Sequence, residues 1–140
     1  MILLDTNVAS ELIRPLPASQ VIGWLSRQAS DDLFLSVISE AELRVGVLLM
    51  PPGQKRDKIA AAIEILLGTY FAGRVLDFNR TAARHYAEIL TTRRSMGRPV
   101  SHQDAQIAAI AKANGIPLAT RNTRDFDHVG VQVIDPWQSE

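Results

Sequence analysis

The chain opens on Ile2-Leu3-Leu4 and then turns polar at once, at Asp5-Thr6-Asn7. A short apolar run closed by polar residues predicts a strand buried on both faces, and such strands belong to parallel sheets covered by helices. Thr6 and Asn7 are suited to cap a helix beginning Val8-Ala9-Ser10-Glu11. Asp5 is then expected at the carboxyl end of a central strand, the edge at which open α/β sheets hold ligands. Two roles remain open for it: capping the helix, or holding a cation.

The rest of the chain alternates helical and extended patterns. Thr6 to Arg14 reads as a first helix, stopped by Pro15 and Pro17. Pro17 opens a second, with Val21, Ile22, Trp24 and Leu25 as its apolar stripe. Leu33 to Ser36 is a second strand. Ser39 is expected to cap a third helix with Glu42 in the capping-box position, and Leu43, Val45, Val47 and Leu48 predict that this helix is well buried. Pro51-Pro52-Gly53 ends it. A fourth helix carries Ile59, Ile63, Leu66, Leu67 and Tyr70 at three-and-four spacing. Val75 to Phe78 is a short extended piece, and a fifth helix runs from about Asn79 to Met96 before Gly97-Arg98-Pro99. Ser101 caps a sixth through Asn114, closed by Gly115. Ile116 to Thr120 and Val131 to Ile134 are further strands, with a helical turn at Asn122 to Phe126. The alternation predicts an α/β fold with a mainly parallel sheet in a single domain over 1–140.

Composition narrows the function. A chain of 140 residues buries roughly two-thirds of its unfolded surface and needs no staples. It has no cysteine, which removes disulfides and thiolate–metal sites and fits a reducing, cytoplasmic setting. No signal peptide or membrane span is expected: no basic segment precedes an apolar core, and no apolar run approaches the ~18 residues that a span needs. The formal net charge is zero, so overall charge does not draw the chain to nucleic acid. A polyanionic substrate would have to be held by a local basic patch or through a cation.

Three further positions fall where Asp5 falls. Glu42 is expected in the first turn of the third helix and Asp104 in the first turn of the sixth, while Asn122 and Asp125 follow the strand ending at Thr120. Right-handed crossovers place these strand ends on one rim. Gathered carboxylates repel, and a divalent cation removes that penalty. An all-oxygen ligand set favours Mg²⁺ or Mn²⁺ over zinc, the arrangement for phosphodiester hydrolysis. Each acid also has a plainer reading: Glu42 as a capping-box residue, Asp104 as a complement to the helix dipole. Glu11 and Glu40 are expected to be solvated. His85, His102 and His128 lack metal-ligand spacing. Arg93, Arg94 and Arg98 are expected as a solvated face, with phosphate contact as the alternative, and Trp24 and Trp137 as packing residues.

The segments MILLDTNVASELIR, LSVISEAELRVGV and VSHQDAQIAAIAKANGIPLATRNTRDF, in this order, resemble the PIN-domain ribonucleases, specifically the VapC-type toxins of type II toxin–antitoxin pairs; the terminal DPW resembles their FitB-like branch. The resemblance implies a three-layer α/β/α domain with an acidic, Mg²⁺-dependent site that cuts RNA. It assigns Asp5, Glu42 and Asp104 as the catalytic acids and metal ligands, and Thr6, Asn7 and Thr120 as supporting polar residues. The fourth acid departs from the pattern: Asn122 follows the Thr-Arg pair, with Asp125 one turn further on, and either fits. The resemblance further implies a homodimer, a cognate antitoxin whose tail blocks the site, and promoter DNA bound only through that antitoxin. Two other readings compete. One is an idle scaffold that binds an antitoxin and aids repression. The other is a receiver-type domain, which needs an aspartate and a lysine where Ser36 and Thr120 end their strands.

Overall fold

A computed structural model describes residues 1–138. Five strands, β1 (Ile2–Leu4), β2 (Leu33–Ser36), β3 (Val75–Leu76), β4 (Leu118–Ala119) and β5 (Val133–Ile134), form one sheet in the order β3-β2-β1-β4-β5, and every pairing is parallel. Six α-helices are described: α1 (Thr6–Glu11), α2 (Ser19–Ser26), α3 (Val37–Leu48), α4 (Gln54–Ile65), α5 (Arg80–Ser95) and α6 (His102–Asn114).

The apolar strand runs are explained by what lies on each face. Leu4, Leu33, Leu35 and Ala119 point into one core with Val8, Val21, Trp24, Leu43, Ile63 and Phe71. Leu3 and Leu118 point into the other with Ala105, Ile107, Ala108, Ile110 and Phe126. Side chains alternate along each strand, so both faces are filled and neither can be polar. The α/β/α layering expected from the sequence is therefore observed. α6 packs with Ala105, Ala108, Ala109 and Ala111 fully buried, since small side chains let a helix lie close to its neighbours.

Several local expectations need correction. α1 stops at Glu11, well short of Arg14, and Asp5 rather than Thr6 or Asn7 is its cap. α2 begins at Ser19, after Pro17. β4 and β5 are shorter than the apolar runs that carry them. The fourth helix passes at Leu66–Tyr70 into a wider π-turn. The cap of α3 is Ser36, whose hydroxyl accepts from the Ser39 amide at 3.1 Å; strand passes into helix with no loop between. Glu42 therefore lies in the second turn and has no capping-box role. α3 is also far from buried: Val45, Leu48 and the cap residue Leu49 are 54%, 66% and 81% exposed.

Candidate metal-dependent active site

The chain moves outward from β1 through β2 to β3, then returns to the other side of β1 as β4. Strand order reverses between β1 and β4, and a crevice opens at the carboxyl ends of strands where this happens. Asp5 and Thr120 are the residues immediately after those two strands. The Asp5 amide donates to the Ala119 carbonyl at 2.9 Å, and the Thr120 amide to the Ile134 carbonyl at 2.9 Å, so the sheet itself fixes both.

Asp5 is 4% exposed and Thr120 fully buried. The Thr120 hydroxyl donates to Asp5 Oδ2 at 2.7 Å, and the Thr6 amide donates to Oδ1 at 2.8 Å. Asp5 thus caps α1, the first of the two roles left open by the sequence, and does so at the strand end beside Glu42 and Asp104. Burial, with the neighbouring charges of Asp104 and Glu42, pushes its carboxyl up to about 6 against the two hydrogen bonds that favour the anion.

Glu42 is delivered by α3 and exposed at the rim. Thr6 Oγ1 donates to Glu42 Oε1 at 2.9 Å and lies 2.9 Å from the Ser39 hydroxyl. With its one proton given to Glu42, Thr6 accepts from Ser39. Ser39, expected as a cap, is instead a buried link between α1 and α3. Asp104 is delivered by α6, whose cap Ser101 accepts from the Asp104 amide at 3.1 Å. Its carboxyl is raised chiefly by burial, and further by the charge of Asp125.

The fourth position belongs to an exposed 3₁₀ turn, Thr123–Phe126. The Asn122 amide donates to Thr120 Oγ1 at 3.1 Å, tying the turn to the hydroxyl that holds Asp5. Asp125 reaches the field of Asp104, whereas Asn122 contributes a backbone contact. Charge thus runs along the rim from Glu42 through Asp5 and Asp104 to Asp125.

Among the described residues no three His, Cys, Asp or Glu side chains stand within ligating geometry, so the acids share a field without forming a closed ligand set. The chemistry of the donors still fits a hard divalent cation. They are all oxygens, one is raised to about 6 by burial and by the neighbouring carboxylates, and none is in a described ion pair with an arginine or lysine. Asn7 Oδ1, next to this cluster in sequence, is buried with no hydrogen-bond partner among the described residues. A groove of about 460 Å³ opens beside Glu42, lined by Ile38, Ala41, Val45, Gly46, Gln103 and Gln106.

Sequence reasoning missed two structural roles. Arg93 is 4% exposed rather than solvated: its Nε donates to the Arg98 carbonyl at 2.7 Å and its Nη1 to the Asp127 and Arg124 carbonyls at 2.5 and 3.4 Å. It therefore clasps the turn that bears Asp125. Glu11 is 3% exposed, accepts from the Ala18 amide at 3.0 Å and pairs with Arg14 at 3.3 Å, closing the α1–α2 loop. Only the proline-broken loop after Glu11 hinted at the second; nothing local hinted at the first. His102 accepts or donates a 2.6 Å bond with Tyr86, and Trp24 and Trp137 pack against the first core, as expected.

Residues 2–132 match the family model described as the PIN domain. The chain is 48% identical over 139 residues to the plasmid stability protein StbB of Pseudomonas syringae pv. tomato, covering 99% of this chain and 100% of that one. It is 40% identical to the VapC ribonuclease Y4jK of Sinorhizobium fredii, covering 99% of each. Among solved structures, FitAB bound to an IR36 DNA fragment superposes on it with a TM-score of 0.93 at 40% identity, covering 100% of this chain and 98% of that one.

Proposed function

Because the chain belongs to the PIN-domain family, in its VapC/FitB toxin branch, we propose that it is a metal-dependent endoribonuclease whose acids act at the β1/β4 crevice. One observation carries this reading. Asp5 is buried between two other acids with no basic partner, and its carboxyl is pushed to about 6. A fold keeps such a group, at a cost in stability, where a cation is to be held.

Asp5, Glu42 and Asp104 would hold that cation, Mg²⁺ or Mn²⁺. When bound it supplies charge neutralisation at the phosphate and a more acidic attacking water. The chain's own residues do the orienting. Thr120 and the Thr6 amide fix the two oxygens of Asp5, and Thr6 fixes Glu42 through the proton it donates to Oε1. Asp125, clasped through its turn by Arg93, adds negative charge beside Asp104. Thr6, Asn7 and Thr120 are the supporting residues, and residues 1–140 act as one PIN unit.

Its partners on this reading are an RNA substrate and a cognate antitoxin. Promoter DNA is reached only through that antitoxin, consistent with a net charge of zero and with the DNA-bound complex of the FitAB relative. A second copy of the chain fits the exposed Val45 and Leu48 of α3 and its cap Leu49. Among the described residues no helix is long and apolar enough to cross a membrane, and the lack of cysteine suits the cytoplasm. The idle-scaffold reading fares worse, because a scaffold gains nothing from a buried acid that weakens the fold. The test is incubation of purified, antitoxin-free protein with total cellular RNA. Discrete cuts with Mg²⁺ and none with chelator are expected; intact RNA in both arms would overturn the proposal.

A further inference from the structure

On the nuclease reading above, we infer that Arg121, held on the ring of Trp137, is the seat for an RNA backbone phosphate next to the acidic rim. Successive residues leaving β4 face opposite ways. Leu118 enters the core on the α5/α6 side, and Ala119 enters the core on the α1/α2 side. Thr120 turns to Asp5. Arg121 takes the other direction and lies over Trp137, its Cζ 5.1 Å from the ring centroid. Trp137 packs, half-buried, on the α1/α2 core and its amide donates to Asp135 Oδ1 at 2.9 Å. The platform is therefore fixed before any ligand arrives.

This geometry leaves the guanidinium ready for an anion. Stacking uses the flat face of the group; the five N–H donors lie in its plane and stay available. Arg121 makes no ion pair with a carboxylate among the described residues, although Asp125 lies in the same pocket. That pocket, about 340 Å³, is lined by Arg121, Asn122, Thr123, Arg124 and Asp125, and Arg124 supplies a second exposed cation. Asp125 forms an ion pair with neither arginine among the described residues. Holding a long side chain on a ring also removes much of the rotamer entropy that phosphate binding would otherwise cost.

The position selects the ligand. The amide of Asn122, the next residue, is bonded to the same Thr120 hydroxyl that holds Asp5. Arg121 thus lies between Thr120, whose hydroxyl holds Asp5, and Asn122, whose amide is tied to that hydroxyl, and four residues before Asp125. A chain with zero net charge has no general attraction for a polyanion, so two arginines at the lip of the acidic crevice are where a strand's flanking phosphate is held. Arg121 is on this account a positioning residue: it fixes the strand while the acids act on the neighbouring phosphodiester.

The test is binding of a labelled single-stranded RNA oligonucleotide across a range of NaCl, with Ca²⁺ replacing Mg²⁺ so that binding is read without cutting, alongside cleavage in Mg²⁺. Arg121→Ala should weaken binding about tenfold and lower the slope of log affinity against log salt by about 0.7, the value of one lost single-strand phosphate contact. Arg121→Lys should keep the slope, because the charge remains. Trp137→Ala should weaken binding about threefold with the slope unchanged, since it removes the platform and not the charge. KM should rise with kcat nearly constant in each. Lys55→Ala, on the exposed start of α4, is the control for general charge. Wild-type binding and slope in a folded Arg121→Ala protein that cleaves normally would overturn this subsite and leave the nuclease reading standing. So would a defect seen only in binding an acidic antitoxin peptide. Wild type that shows the Arg121-dependent slope but never cuts would overturn the nuclease reading and leave the subsite standing.

Discussion

Asp5 and Asp125 lie on one rim and are held there in opposite ways. Asp5 is 4% exposed, directly follows a central strand and has both oxygens in hydrogen bonds. Asp125 is exposed, on a 3₁₀ turn anchored by Phe126 in the core, by the Asn122 amide on Thr120 and by the reach of Arg93 to the carbonyls of Arg124 and Asp127. The buried half is preorganised at a cost: its carboxyl rises to about 6. The exposed half has Arg121 and Arg124 beside it. On the proposed nuclease reading, cation holding falls to the buried half and adjustment to substrate to the exposed half, in keeping with the general rule that precise sites sit on regular elements while loops supply variation.

The largest expected effect is at Asp104, which feels both halves. Asp104→Asn keeps the shape and the Ser101 cap but removes a charge, and RNA cleavage should fall by ~10²-fold or more, the scale of one preorganised electrostatic contact. Folding should be intact. Full activity in the purified variant would break the assignment of Asp104 to the site.

The next effect is on stability. A carboxyl raised above its unfolded value of 3.8 binds a proton in the fold that the unfolded chain has already released, so its contribution is greatest below about pH 4 and is lost as pH rises to about 6. In chelator, Asp5→Asn should therefore gain on the wild type between pH 4 and pH 7, by on the order of 2 kcal/mol, read by urea denaturation. A difference that does not change with pH would show that Asp5 is an ordinary cap.

The smallest effect sharpens the comparison at the fourth acid. Asp125→Asn should reduce cleavage and metal affinity together by ~10–100-fold, the range for a supporting group. Asn122→Asp in that background should restore part of both, because Asn122 is already tied to Thr120. Unchanged cleavage in Asp125→Asn would show that three acids suffice.

How much of this could be read from the residues differs between the same two halves. Asp5 and Asp104 were legible because each signal is local: an apolar run that ends in Asp, and Ser101 three residues before Asp104. The alternating core was legible for the same reason. Glu42 was placed on the right helix in the wrong turn, because Ser36 and Ser39 are both able to cap and only the strand's end decides between them. Arg93 was not legible, since its neighbours Arg94 and Arg98 make the stretch look solvated and its partners lie 31 and 34 residues further on. The exposure of Val45, Leu48 and Leu49 was hidden too: an apolar face shows that something covers it, not whether that is the same chain.

The central claim is that buried Asp5 and the acids beside it form a divalent-cation site, and thermal unfolding under increasing Mn²⁺ tests it most directly. A ligand that binds only the folded state raises Tm by mass action, by about 2.7 kcal/mol of stability at a hundredfold excess over Kd. The account predicts that Tm of the wild type climbs with Mn²⁺ while that of Asp5→Asn stays nearly flat from a higher starting value. An equal rise in both proteins would contradict it.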